Sequence, residues 1–297
     1  MNRKVIGFII GIAIIMIVIG SAIFFFLPKK EKKEQKTEKN KNYICIRAKK
    51  LHKEKCKKTS KDFYCRVNEY KNGEEIVYGH LGRKGQIHSG DAFDCDVNND
   101  GKYNEKTERF YYVVDLDSDR NYGVLVYYND VSGGIPNNKK TYAYDESANA
   151  KKNGPVTAVK QLPTTSQWTN VSLSNTTRKI RDEERKEYID FSYEGYAARL
   201  LTTVEVQTAC DTNISIYTDS KLKHCNFLAE NIIDSKKRRI ISWWLETPVA
   251  IDAKDVWTVE GPWMVEKHPR AGSSNAANNI LVGVRPAIEV PKSKIKY

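Results

Sequence analysis

Residues Asp96 to Gly101 read Asp-Val-Asn-Asn-Asp-Gly, with side-chain oxygens at the first, third and fifth positions and Gly at the sixth. A hard cation that takes six or more oxygen ligands needs this spacing, because alternate residues turn their oxygens inward and the Gly permits the sharp turn. The pattern predicts a calcium loop in which Asp96, Asn98 and Asp100 coordinate by side chain and Lys102 by its backbone carbonyl. An EF-hand loop ends on a bidentate carboxylate at position 12. Here that position is Thr107, and the carboxylate comes one place later, at Glu108. The competing reading is an Asx-rich turn between two strands, since Asn, Asp and Gly favour turns for local reasons.

The other reactive residues point to stability rather than catalysis. Six cysteines, Cys45, Cys56, Cys65, Cys95, Cys210 and Cys225, form an even set in a chain with an export segment, which favours disulfides. Cys210 and Cys225 stand apart and are expected to pair with each other. The first four allow three pairings, among which the sequence does not choose. A zinc site at Cys56, Cys65, His80 and His88 lacks the CxxC or HxxxH spacing such sites use. The histidines are scattered, no GxSxG elbow or phosphate-cradling Gly loop occurs, and Asp182, Glu183 and Glu184 sit in a charged run that suits a solvated face. Trp257 and Trp263 are candidates for a ligand-stacking surface, against the alternative that large rings in strands fill the core.

Residues Val5 to Leu27 contain no charged side chain, and 23 residues at helical rise are enough to cross a hydrocarbon core with some tilt. This span is expected to be an uncleaved signal anchor in the lipid bilayer, because its apolar run is too long for a cleaved signal peptide. Residues 29–42 are Lys, Glu, Gln and Asn with almost no apolar side chain and read as a solvated tether. Residues 1–62 hold the whole excess of the +12 formal charge, and the other 235 are neutral on balance. With no basic, aromatic-interleaved face outside that flank, nucleic acid is not expected as a partner. The lysines after the span outnumber the basic residues before it, so a bare count would place the C-terminal side in the cytoplasm. The cysteines and the calcium loop favour an oxidising, calcium-rich exterior, and large domains translocate despite flanking charge.

Period and punctuation give an α+β pattern. Glu75 to Tyr78, Phe110 to Val114 and Gly123 to Tyr128 read as strands, with Gly and Pro turn signals over Val131 to Asn138. Thr164 with Gln167 and Thr202 with Glu205 are capping boxes, which predict two amphipathic helices. From Trp243 onward strands return as SWWLETP, DVWTVEG, WMVEK and VGVRPAIEV. The boundaries expected are an anchor at 1–28, a tether at 29–42, a small Cys-containing β-rich region at 43–107 and an α+β domain at 108–297.

Ala198 to Val206 (ARLLTTVEV) resembles the RLPT-type helix entry of the formylglycine-generating-enzyme branch of the C-type-lectin-like superfamily. Trp244 to Pro248 (WLETP) and Gly283 to Ile288 (GVRPAI) resemble the signatures of an uncharacterised bacterial domain family found mostly in Gram-positive surface proteins. The resemblance covers roughly Glu108 to Val290 and implies a C-type-lectin-like build, with two helices beside a twisted, mainly antiparallel sheet. It carries over no activity. The oxidase members need cysteines late in the domain, and this chain has none after Cys225. The sugar-binding calcium site of the lectins uses Trp-Asn-Asp and Glu-Pro-Asn, and neither occurs.

The expectation is a membrane-anchored extracellular module that binds a glycan or protein ligand without catalysis. The alternatives are a cell-envelope enzyme acting on peptide or glycan and a structural surface-assembly protein. Protease treatment of intact cells is expected to release residues 43–297. Survival of that part until the membrane is broken would overturn the topology.

Overall fold

The computed structural model describes residues 42–51, 53–54, 76–137, 140–181, 188–212, 220–221, 225–232, 242–249, 254–261, 270–278 and 281–297. The expected anchor, the tether, Cys56, Cys65, Trp263 and the Asp182 to Glu184 run lie outside them. No helix among the described residues is long and apolar enough to cross a membrane.

The described residues open with β1 (Cys45–Arg47), a short antiparallel pair of β2 (Lys53–Glu54) and β3 (Ile76–Val77), and β4 (Ala92–Cys95). The long strands β5 (Arg109–Leu116) and β6 (Asp119–Tyr127) follow, and then a small hairpin of β7 (Val131–Ser132) and β8 (Ile135–Pro136). A one-turn helix α1 (Ala150–Asn153) precedes the hairpin β9 (Thr177–Arg181) and β10 (Tyr188–Ser192), and α2 spans Thr203–Cys210. The remainder is β11 (Ser220–Lys221), β12 (Ser242–Pro248), β13 (Asp255–Glu260), β14 (Arg270–Ala276), β15 (Val282–Gly283), β16 (Ala287–Pro291) and β17 (Ile295–Lys296).

Two twisted, mainly antiparallel sheets result, in the orders β16-β6-β5-β4-β1-β17 and β11-β14-β13-β12-β15. This is an α+β fold rich in sheet. The strands on either side of residue 107 pair with one another, Phe93 opposite Phe110 and Asp94 opposite Arg109. The expected boundary at 107/108 is therefore not a domain boundary, and residues 42–297 form one unit.

β5 shows why its residues make a strand: aromatic and β-branched side chains suit a pleated surface buried on both sides. Phe110 and Tyr112 enter one apolar cluster, and Tyr111 and Val113 enter a second on the opposite face. β6 alternates in the same register, with Leu125 and Tyr127 on the first side and Val124 and Val126 on the other. β12 does likewise, sending Trp244 one way and Trp243 and Leu245 the other.

The capping box at α2 forms as read: the Thr202 hydroxyl accepts from the Glu205 amide at 3.1 Å, and Glu205 Oε2 accepts from the Thr202 amide at 2.9 Å. The helix ends at Asp211, whose φ of 47° is left-handed. Its last residue, Cys210, is disulfide-bonded to Cys225 with Cα atoms 5.5 Å apart. Closing a loop of that length adds about 3 kcal/mol in a chain-entropy estimate.

The helix expected at Thr164 is a turn. Gln167 Oε1 does accept from the Thr164 amide at 2.9 Å, so half of the box is made. The chain beyond it is held elsewhere, because the Asn170 amide donates to Val97 O at 2.9 Å and the Thr169 hydroxyl to Asn98 O at 2.9 Å. Tertiary hydrogen bonds outweigh local helical ones in this Thr- and Asn-rich stretch, whose residues have poor helix propensity.

A buried ion network ties the two sheets and α2 together. Arg199, fully buried, donates from Nε to Glu289 Oε1 of β16 at 2.7 Å, and from Nη1 and Nη2 to the Glu205 carboxylate at 2.9 and 2.5 Å. Its backbone exchanges hydrogen bonds with Ala287, at 2.9 and 2.7 Å. The neighbouring Arg178 of β9 forks onto the Glu246 carboxylate of β12 at 2.7 and 3.0 Å. Burial opposes the Arg199 charge, but Glu205 and then Glu289 outweigh it and hold its pKa well above the usual value. Removing one member of such a group strands the others unpaired, at a cost of about 3–5 kcal/mol. Arg199→Met is therefore expected to lower stability by about that amount in urea unfolding, and a loss under about 1 kcal/mol would show that the network is not the tie described.

Candidate metal centre

The predicted calcium loop connects β4 to β5, and both of its ends are fixed. Cys95, the last residue of β4, is bonded to Cys45 of β1 with Cα atoms 4.0 Å apart. The Asp96 amide donates to Ile44 O at 2.8 Å, and the Glu108 carbonyl accepts from the Cys95 amide at 2.9 Å. Across the same strand pair, Arg109 Nε donates to Asp94 Oδ1 at 2.7 Å inside the protein.

Between these anchors the chain winds around its own side-chain oxygens. Asp96 Oδ1 accepts from the Asp100 amide at 2.9 Å and Asp96 Oδ2 from the Gly101 amide at 3.0 Å. Asn98 Oδ1 accepts from the Asp100 amide at 3.1 Å, and Asp100 Oδ1 from the Lys102 amide at 2.9 Å. Gly101 takes a left-handed φ of 77°, the conformation that favours Gly at the sixth position. The loop rests on the segment that failed to become a helix, with Asn170 Nδ2 donating to Asp96 O at 2.7 Å.

Glu108 completes the arrangement. The amides of Thr107 and Glu108 both donate to Asn104 O, at 3.1 and 2.7 Å, so a tight turn absorbs the extra residue that displaced the carboxylate from position 12. Glu108 thereby comes round to the others, and Asp96, Asp100 and Glu108 each bring one carboxylate oxygen within 4.8 Å of the rest. Glu108 is only 5% exposed. Its Oε2 accepts from the Asn104 amide at 2.8 Å, whereas Oε1, buried, has no hydrogen-bond partner.

The electrostatics are those of crowded carboxylates. Burial, reinforced by Asp100, Asp96 and Asp94, pushes Glu108 up to about 7 against the lowering effect of its bond from Asn104. Three carboxylates this close repel one another, and a divalent cation would relieve the repulsion while supplying the partner that Oε1 lacks. Asn98 and Lys102 belong to the same turn, with their side chains exposed. Three supporting residues were not anticipated. Asn104, Asp94 and Arg109 matter through the hairpin register, and the paired acid and base flanking the loop at Asp94 and Arg109 are the signal that would have found two of them.

The other sequence candidates do not assemble into a site. Trp257 is 6% exposed and belongs to the core cluster that includes Trp243 and Val259, so it is no stacking surface. It lies within β13, whose residues Val256 to Val259 are buried on both faces between packed strands. His80 Nδ1 lies 2.8 Å from Asp91 Oδ1, but the Ser89 hydroxyl makes no hydrogen bond, so that serine is not coupled to the ring. The void beside Trp243, Trp244, Leu245 and Arg285 has room for little more than a water molecule.

No known family model, curated protein or solved structure matches the chain.

The raised acid predicts the sign of a pH effect in the presence of chelator. Glu108 keeps its proton to about pH 7 in the folded state but only to its ordinary value of 4.5 when unfolded. The folded state therefore holds more protons between those limits, and stability falls as pH rises through that window. Asp130, pushed by burial up to about 8, adds a similar decline over a wider range. Glu108→Gln is expected to flatten the part of the urea-unfolding profile between pH 4.5 and 7, and an unchanged slope would contradict the assignment.

Proposed function

We propose that this chain is a calcium-binding, membrane-anchored module displayed outside the cell, which works by surface contact rather than by catalysis. The observation that carries the reading is the convergence of Asp96, Asp100 and Glu108 with a buried, unpartnered Glu108 oxygen. Asn98 and the Lys102 carbonyl supply further oxygens in the same loop. Calcium suits this donor set because every ligand is oxygen, and a loop closed by backbone turns accommodates six or more of them. Disulfides joining Cys45 to Cys95 and Cys210 to Cys225 fit an oxidising compartment.

Support for a binding role comes from the site's neighbours. Asp96, Asn98 and Asp100 hold the loop through its own backbone amides, and Asn170 holds it from outside. The C-type-lectin-like build belongs to the same proposal. Its signature residues have structural work in this chain, since Arg199 ties β16 to α2 and Arg285 donates to the carbonyls of Phe227 and Leu228, both at 2.9 Å, and to that of Tyr127. A glycan or a protein is the class of ligand such a module would take.

Extracellular calcium modules bind at about 10⁻⁴ to 10⁻³ M. At tenfold excess over the dissociation constant the ion stabilises the fold by about 1.4 kcal/mol, equivalent to a rise of about 3–6 °C in Tm for a unit of this size. Millimolar calcium is expected to raise the midpoint by that amount and chelator to reverse it. The Asp96→Ala, Asp100→Ala double variant is expected to lose the response. A parent protein indifferent to calcium would return the loop to an ordinary turn.

A further inference from the structure

We propose that the face surrounding the calcium loop docks on the anionic phosphate surface of a lipid bilayer, and that calcium switches this docking on. The inference rests on the calcium-binding reading above and deepens it.

Contacts that have little to do with forming the loop gather lysines around it. Lys50 Nζ pairs with Glu105 Oε1 at 2.8 Å, which brings the end of β1 to the loop. The Tyr103 hydroxyl donates to Tyr43 O at 2.7 Å, placing the residue after Lys102 at the start of the folded unit. Lys296 Nζ stands 5.6 Å above the Tyr43 ring, and Lys294 Nζ donates to Asn42 O at 3.3 Å. Lys50, Lys102, Lys294 and Lys296 are all exposed and, through these contacts, surround one place: the loop and the point where the chain enters at Asn42.

The charge there depends on the metal. Without the ion, the carboxylates of Asp96, Asp100, Glu105 and Glu108 nearly balance those four ammonium groups and that of Lys106, also exposed in the loop, when all are ionised. A bound calcium ion adds two positive charges and makes the face strongly cationic. The ion can also take a lipid phosphate oxygen as one of its ligands, because calcium accepts up to eight. An anionic bilayer attracts each lysine held near its surface, within a Debye length of about 8 Å.

The sequence argues for a bilayer as the occupant rather than a soluble polyanion. Asn42 is the residue at which the lysine-rich stretch that follows the apolar run Val5 to Leu27 joins the folded unit. A surface already tethered to the chain encounters this face at high effective concentration, so weak individual contacts suffice. Isolated lysines on separate elements, without interleaved aromatics, suit a diffuse phosphate surface better than a nucleic acid groove.

The test uses the full chain reconstituted in vesicles of phosphatidylcholine alone, or with one third phosphatidylglycerol, in millimolar calcium or chelator. A membrane-impermeant acetylating reagent followed by mass spectrometry reads each lysine, with exposed Lys84 and Lys179 as internal standards. Lys50, Lys102, Lys294 and Lys296 are expected to react about threefold or more slowly on the anionic vesicles with calcium, and at standard rates in chelator or on neutral vesicles. Equal rates on both vesicles, with the calcium-induced rise in Tm intact, overturn the docking and leave the calcium site standing. Equal rates together with no rise in Tm overturn both. Protection on anionic vesicles that persists in chelator overturns the calcium switch, and protection produced only by adding soluble polyphosphate to neutral vesicles overturns the bilayer as occupant.

Discussion

The guanidinium of Arg199 is the interaction on which the arrangement of the two sheets depends. It is fully buried, and it reaches Glu289 on β16 and Glu205 on α2 from a backbone that also bridges to Ala287. Glu289 in turn accepts from the Ser174 amide and hydroxyl at 2.8 and 2.5 Å. Glu246 of β12 donates its amide to Leu201 O at 2.7 Å and binds Arg178 through its carboxylate. A charge taken out of water is costly unless every partner is in place, so this set of groups is compatible with very few placements of α2, β12 and β16. Glu205 serves both the helix cap and the ion network, so the start of α2 and the packing of β16 are fixed by one side chain.

The same economy explains the loop between β4 and β5. Its metal-ligand spacing is local, but its rigidity is borrowed from β1 through Cys45, from the backbone at Ile44 and from Asn170, 74 residues further along the chain. A loop held this way can keep three carboxylates close in spite of their repulsion, with Glu108 protonated over part of the pH range. A hard cation bound there, as proposed, would substitute for protons and would require little rearrangement. Pre-organisation is what separates such a site from an acidic turn that merely happens to be exposed.

The residues behind the family resemblance have a physical account in this chain that does not involve catalysis. Arg199 and Thr202 of the RLLT stretch position a helix start, and Arg285 of GVRPAI satisfies three carbonyls while stacking 5.6 Å from the Trp243 ring. Trp243 and Trp244 of the β12 stretch are core residues on opposite faces of their strand.

What the sequence determined by itself was local. Runs of β-branched and aromatic residues bounded by Gly, Pro and Asn marked β5, β6, β12 and β13, Gly133 and Gly134 marked a turn, and Thr202 with Glu205 marked the start of α2, because each depends on neighbours in the chain. The spacing Asp96, Asn98, Asp100, Gly101 identified the loop for the same reason, and the isolated pair Cys210 and Cys225 was legible from its short separation. The tertiary structure alone decided that Glu108 returns to the cluster, that Cys45 takes Cys95 from 50 residues away, and that Thr164 opens a turn instead of a helix. It also decided that Trp257 is core and that β1 and β4 share a sheet with the strands after residue 107. Each of these outcomes sets a local preference worth about 1 kcal/mol or less against long-range burial and hydrogen bonding worth several, and the partners in that contest are brought together only when the chain folds.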